Sequence, residues 1–390
     1  MGPSFPADPV ERAALGIPGS FPAPEGGRIL RLDGLSRHTA RCLAAVLVEG
    51  GASTRFSGGR GPGAIVAGIP GDRWSTCLRR LAAATAPLPE IAREIGTTLR
   101  AGRRRFRSLR LARRRIPLGS RTLIQGILNV TPDSFYDGGR WADPGRAVDR
   151  AFRMAEEGAG LVDIGGESTR PGSRAVTARE ETRRILPVLA SLAGRLPVPV
   201  SVDTTKSEVA AAALDAGAEI INDVSGLTFD PRLARVVARH RAGLILSHLR
   251  GRPRTMQENP RYRHLFPEVL AFLRRAADRA LDSGVEPGSI LIDPGIGFGK
   301  TVEHNLLLLK HLRVLRGAGY PVLVGASRKS FLGKILGGGS EERLEGSLAA
   351  AALAVYNGAS ALRVHDVAAT AAVVRVAEAV RDVAMAKTKE

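Results

Sequence analysis

The sequence predicts a (β/α)8 TIM barrel preceded by a small α/β N-terminal domain. Three observations predict it. Eight short apolar runs follow one another between residues 123 and 366, amphipathic helical stretches separate them, and nearly every run ends in a polar or charged residue. Strands alternating with helices imply right-handed βαβ units and a parallel sheet, and eight units match a closed barrel. A doubly wound open sheet is the alternative that shares this alternation.

Taken in order, residues 1–27 are rich in Pro and Gly and read as a disordered tail. Residues 28–98 read as the small α/β domain: "LSRHTARCLAAVLVEGG" has helical spacing of Leu and Ala, "GAIVAGIP" a strand pattern, and "STCLRRLAAATA" a second helical pattern. Residues 99–118 read as an arginine-rich linker, and residues 119–386 as the barrel. Its strand candidates are "LIQGILNV" (123–130), "LVDIGG" (161–166), "PVSVDT" (199–204), "EIINDVS" (219–225), "GLILSHL" (243–249), "ILIDPG" (290–295), "PVLVGAS" (321–327) and "ALRVHD" (361–366). Between them, "SEVAAAALDAG" and "EHNLLLLKHLRVLRGAG" have helical period and end at Gly, as helix C-termini prefer.

Composition excludes some classes. The 390 residues contain no apolar run of about 18, so no membrane-spanning helix is expected. The first residues lack the cationic start and apolar core of a secretory signal. Cys42 and Cys77 form no metal-spaced cluster and suit a reducing cytoplasm. The net charge of +19 suggests nucleic acid. Yet it is concentrated in segments such as "RAGRRRFRSLRLARRR" (100–115), which reads as a solvated linker helix before it reads as an RNA or membrane patch.

A barrel enzyme builds its site at the C-terminal ends of its strands. Those ends carry Asn129, Asp163 with the loop "EST", Asp203, Asn222 with Asp223, His248, Asp293, Ser327 with Arg328 and Lys329, and Arg363 with His365. Wet strand ends explain one such residue, not eight, because an unpaired buried charge is too costly to keep idly. Arg363 and His365 stand two residues apart and so face the same way, reading as an anion site at the mouth. "PGIGFGKT" (294–301) ends like a P-loop, but Pro294 replaces the required first glycine.

Together "GILNVTPDSFYDGG", "DIGGESTRPGS", "VDTTKSEVAAAALDAGAEIINDVSG", "RGRPRTMQ", "DPGIGFGKT", "GASRKSFLG" and "RVHD" resemble the bacterial dihydropteroate synthases over roughly residues 120–386. The resemblance implies a cytoplasmic, homodimeric transferase of folate biosynthesis and a sulfonamide target. Such a transferase joins p-aminobenzoate to 6-hydroxymethyl-7,8-dihydropterin diphosphate. It implies that Asn129 binds a Mg²⁺ ion on the diphosphate. It implies that Thr169, Asp203, Asn222, Asp293 and Lys329 hold the pterin substrate and that Arg363 and His365 hold its diphosphate. Asp203, Lys329, Arg363 and His365 are thus the catalytic set. Phe135, Arg170 and Pro171 would close over p-aminobenzoate, with Ser330 near its carboxylate. A pterin-binding methyltransferase on the same barrel is the nearest rival, but it has no use for a diphosphate anchor. A barrel of lost activity serving as an RNA- or protein-binding module would show broken motifs.

Overall fold

The computed structural model describes residues 28–49, 51–57, 63–70, 72–93, 95, 106–131, 143–168, 176–337 and 343–383. They divide into two compact units. The first holds the described residues before Phe106 together with Arg263–Ala271 and Arg313–Tyr320; the second holds Phe106–Tyr262, Phe272–Leu312 and the chain from Pro321 onward.

The first unit contains β1 (Arg28–Leu35), α1 (Arg37–Glu49), β2 (Ser53–Ser57), β3 (Gly63–Ile69) and α2 (Trp74–Ala82). The strands form an antiparallel sheet in the order β1-β3-β2. The predicted α/β character holds, and two strands join the one read from "GAIVAGIP". Leu43 and Leu47 of α1 and Cys77 and Leu81 of α2 pack with Leu32, Ala67 and Ile69 in one buried core.

The second unit opens with β4 (Ser108–Arg110) and β5 (Arg115–Pro117), an antiparallel hairpin. Then come β6 (Leu123–Asn129), α3 (Pro144–Glu156), β7 (Leu161–Gly165), α4 (Ala178–Leu192), β8 (Val200–Asp203), α5 (Ser207–Asp215), β9 (Ile220–Asp223) and α6 (Leu233–His240). The series continues with β10 (Gly243–Ser247), α7 (Leu265–Asp282, whose residues up to Ala271 group with the first unit), β11 (Ile290–Asp293), α8 (Val302–Lys310), β12 (Leu323–Val324), α9 (Ser330–Leu336), α10 (Leu344–Tyr356), β13 (Ala361–Val364) and α11 (Val367–Asp382). All eight predicted barrel strands are present. They pair in parallel in the order β11-β10-β9-β8-β7-β6-β13-β12, and a parallel bridge between Ile292 and Val322 brings the two ends together. The result is a (β/α)8 barrel.

Helix starts follow local chemistry: Asp143 accepts from Arg146 N at 2.9 Å ahead of α3, and Thr177 from Glu180 N at 3.2 Å ahead of α4. The stretch read as one helix over 303–319 is two pieces, because His311 leaves helical geometry after α8 and a 3₁₀ segment, Leu312–Ala318, follows.

The arginine-rich segment departs from expectation. Residues 108–117 are not linker: Leu109, Leu111, Ile116 and Leu118 are buried in one cluster with Leu123, Leu161, Ile220, Ile245, Leu291, Leu323 and Ala361. Those seven are inward-facing residues near the N-terminal ends of barrel strands, so the hairpin plugs the barrel floor. Alternation hides this in the sequence, since the hairpin's arginines face outward while Leu109, Leu111, Ile116 and Leu118 turn in. Arg114 adds an ion pair to Glu219 at 3.1 Å.

Candidate active site

Side chains two residues further along each strand return to the barrel interior. Above the apolar floor that layer is polar. Gln125 on β6 is in register with Arg363 on β13, and Asp163 on β7 with Ser201 on β8. Gln125 Nε2 donates to Ser201 Oγ at 2.9 Å, and Ser201 Oγ donates to Asp163 Oδ1 at 2.5 Å. Asp163 Oδ2 accepts from Asn222 Nδ2 at 3.1 Å and from Arg363 Nε at 2.6 Å. Arg363 Nη2 reaches on to Asp203 Oδ2 at 2.8 Å. One connected network therefore spans five strands, and most of its polar atoms find partners within it.

Two atoms in it are left over, Gln125 Oε1 and Asp203 Oδ1. Asp203 Oδ1 is buried and has no hydrogen-bond partner among the described residues. Burial first, and the neighbouring Asp163 charge after it, push the Asp203 carboxyl up to about 7 despite the opposing Arg363 guanidinium. A buried acceptor without a donor awaits one from a ligand.

Asp293 closes the opposite wall. Its Oδ1 accepts from Gly295 N at 2.7 Å and its Oδ2 from Ser247 Oγ at 3.4 Å. Burial raises its pKa against the pull of Lys329. Lys329 lies above it, its Nζ donating to the Ile296 carbonyl and sitting 3.7 Å from the centroid of the Phe298 ring. Burial brings the Lys329 ammonium down to about 8. The preceding residue, Arg328, has φ +55 and is tied to Asp366 at 2.7 and 2.6 Å, a left-handed conformation fixed by its surroundings that aims Lys329 inward.

His365 lies one residue beyond β13. Ser327 Oγ accepts from His365 N at 3.2 Å and stands 3.1 Å from its Nδ1. With two lone pairs and one hydrogen, the hydroxyl can serve either tautomer of the ring. Asn129 ends β6 with its Oδ1 2.9 Å from where a Cβ of Gly165 would stand, so the glycine makes room for that oxygen. Ser330 is exposed at the start of α9. Phe135, Thr169, Arg170 and Pro171 lie outside the described residues.

The structure thus brings Asp203, Asn222, Asp293, Lys329 and Arg363 to one end of the barrel. It also gives Arg363 a use that spacing did not suggest, with two of its three nitrogens engaged by aspartates. Asp163, read as a strand end but given no role, completes the network with Gln125 and Ser201, which were not singled out. Their signal was a polar residue inside an otherwise apolar strand. Asp223 plays another part: its carboxylate accepts from Ser225 N, Ser225 Oγ and Leu227 N at 2.6–2.8 Å and shapes its own loop.

The glycine segment after Asp293 is no phosphate cradle. Its amides are taken, Gly297 N by Asn305 Oδ1 at 2.8 Å and Phe298 N by the Gly295 carbonyl at 3.0 Å. Its carbonyls point outward instead: Ile296 to Lys329, Gly297 to Gln257, Phe298 to Lys300 and Gly299 to Tyr262. A P-loop needs the reverse arrangement. Among the described residues no group of three or more His, Cys, Asp or Glu is arranged to hold a metal ion, and no helix is long and apolar enough to cross a membrane.

The family profile described as "Pterin binding enzyme" matches residues 125–365. A dihydropteroate synthase from Synechocystis is 47% identical over 262 residues, which cover 67% of this chain and 91% of that relative. One from Bacillus subtilis is 44% identical, over 66% of this chain and 88% of the relative. Among solved structures, the Yersinia pestis dihydropteroate synthase with a sulfonamide drug complex superposes with a TM-score of 0.68 at 41% identity, covering 71% of this chain and 100% of that one. The Xanthomonas albilineans dihydropteroate synthase with 4-aminobenzoic acid gives 0.66 at 45% identity, covering 72% of this chain and 100% of that one. Eight parallel strands with their acids and cations gathered at one end, and relatives matched over nearly their whole length, lead to one conclusion: the chain belongs to the pterin binding enzymes, within the dihydropteroate synthase family of transferases.

Proposed function

We propose that the barrel mouth condenses p-aminobenzoate with 6-hydroxymethyl-7,8-dihydropterin diphosphate, with the pterin ring against Asp203, Asn222 and Asp293. The carrying observation is the Asp203 oxygen that is buried without a donor. An aminopyrimidine edge presents N–H groups in the geometry a carboxylate accepts, and the charge-assisted bond restores what burial costs Asp203. Lys329 adds a donor on the same wall.

In the reaction the methylene carbon–oxygen bond breaks and diphosphate leaves with the electron pair. Positive charge spreads over the pterin ring, where the Asp203 carboxylate stabilises it. The arylamine nitrogen then forms the new carbon–nitrogen bond and gives up its proton. His365 offers a ring N–H to the departing diphosphate. Phe135, Arg170, Pro171 and Ser330 take the p-aminobenzoate side, and Thr169 supports the pterin.

Asn129 suits Mg²⁺ in one limited way. A single amide oxygen with room made by Gly165 cannot cage the ion, but it matches a hard cation that arrives on diphosphate oxygens and keeps its waters. That ion would neutralise charge on the leaving group. A homodimer is part of the same reading, supported by exposed Leu353 and Tyr356 on α10 and Val376 and Val380 on α11. The free thiols Cys42 and Cys77 support a cytoplasmic setting.

The test is a diphosphate-release assay with both substrates and Mg²⁺. Release that needs all three, together with 7,8-dihydropteroate as product, is expected. No product from a folded sample defeats the proposal.

A further inference from the structure

Lys300 is a buried cation to which the reaction assigns no task. It is 3% exposed, and its Nζ stands 2.9 Å from His248 Nδ1 and donates to the Phe298 carbonyl at 3.0 Å. Neither partner is an acid. If packing alone were needed there, a methionine would fill the space without burying a charge. What lysine adds is two directional bonds.

We propose that Lys300 is a positioning residue for Lys329, acting through the glycine segment between them. Lys329 rests in a seat with three parts: the Ile296 carbonyl, the face of the Phe298 ring, and the bare α-carbon of Gly297, where a Cβ would stand 2.7 Å from Lys329 Cδ. All three belong to residues 296–298. Lys300 grips that stretch at the Phe298 carbonyl and anchors it to His248, outside the segment. The anchor is firm, since His248 N bonds the Asp293 carbonyl at 2.9 Å and its ring meets Phe272 edge-on at 4.8 Å. Gly295 nests against the His248 carbonyl with φ +67, where any Cβ would collide. Tyr262 secures the far end, its hydroxyl on the Gly299 carbonyl at 2.8 Å under the Arg250 guanidinium at 4.6 Å.

The charges facing these lysines come from several elements. Asp293 favours the ammonium form of both; Arg363 opposes and Asp203 supports that of Lys329; and Arg250 and Lys329 oppose that of Lys300. Burial dominates each, holding Lys300 well below the usual lysine range and Lys329 at about 8. When the segment loosens, water reaches Lys329 and its pKa rises.

The inference rests on the transferase reading only for the role of Lys329, so its main readout is taken on the free protein. The chain has seven lysines. Their ¹³Cε resonances follow ionisation directly, and Lys329→Arg assigns the one that matters. Lys300→Met should raise the Lys329 midpoint from about 8 by about one unit toward the ordinary lysine value. In the assay it should raise the pterin-substrate KM about tenfold, with a smaller fall in kcat. Lys300→Gln keeps one donor for the Phe298 carbonyl and should fall between, and it decides the matter if the methionine variant does not fold. A lower melting temperature with an unmoved Lys329 titration would make Lys300 merely structural and overturn the proposal. Wild-type inactivity would defeat the transferase reading and leave the titration result standing.

Discussion

Asp163 and Asp203 stand on adjacent strands and share one guanidinium, Arg363 bridging them at 2.6 and 2.8 Å. Asp163 has further donors in Ser201 and Asn222, whereas the second oxygen of Asp203 has none among the described residues. Two acids facing one cation in a buried site cannot both ionise cheaply. Asp203, with one oxygen lacking a donor, is the one poised for a ligand.

Pterin affinity should therefore depend on pH through Asp203. Its folded-state pKa, about 7, lies above the ordinary carboxylate value near 4, so ionising it in the empty site costs stability as pH rises across that window. A ligand that donates to the carboxylate favours ionisation, so affinity should rise up to tenfold per unit as pH approaches 7 and then level off. Calorimetry in two buffers of different ionisation heat should show proton release on binding at pH 6. Flat affinity from pH 5 to 8 contradicts this.

Asp163→Asn removes the like charge and one of the two acids that hold Arg363. It should destabilise the protein by roughly 3 kcal/mol, the scale for breaking a buried charge network, read as a lower urea midpoint at unchanged slope. The Asp203 titration should also move toward acid, because its raising neighbour is gone. A midpoint that stays near 7 would show that burial alone sets it.

Arg363 and His365 should separate in mutagenesis. Arg363→Ala breaks the network under the pterin, so affinity for the diphosphate substrate and for the bare pterin alcohol should fall alike. His365→Ala removes a donor at the mouth and should weaken only the diphosphate form, by about tenfold, the worth of one charge-assisted bond. Selective loss in Arg363→Ala would restore a direct anion role for that residue.

The floor hairpin gives a stability prediction. A chain starting at residue 119 loses Leu109, Leu111, Ile116 and Leu118, each buried, and at about 1.5–3 kcal/mol per side chain this approaches the whole stability of a domain. It should aggregate or melt well below a chain starting at residue 106. Equal melting temperatures would show that the plug is dispensable.

Much was legible beforehand. Short apolar runs ending in polar residues determined the strands, their number and the end of the barrel that carries chemistry, because pleating ties residue parity to a face. Thus Asp203, Asn222, Asp293 and Lys329 were placed at the site by spacing and motif alone. Partnership was not legible. Arg363 is 200 residues from Asp163 and 160 from Asp203, and no local rule says that its guanidinium turns inward onto acids before it can meet an anion. The hairpin was read as linker because nine arginines dominate the composition of 100–115, while burial counts only the side that faces the core. Lys300 looked like half of a P-loop until the carbonyls of residues 296–299 were seen to point at donors. Backbone direction in a glycine-rich segment is set by what packs around it, and only the closed barrel supplies those neighbours.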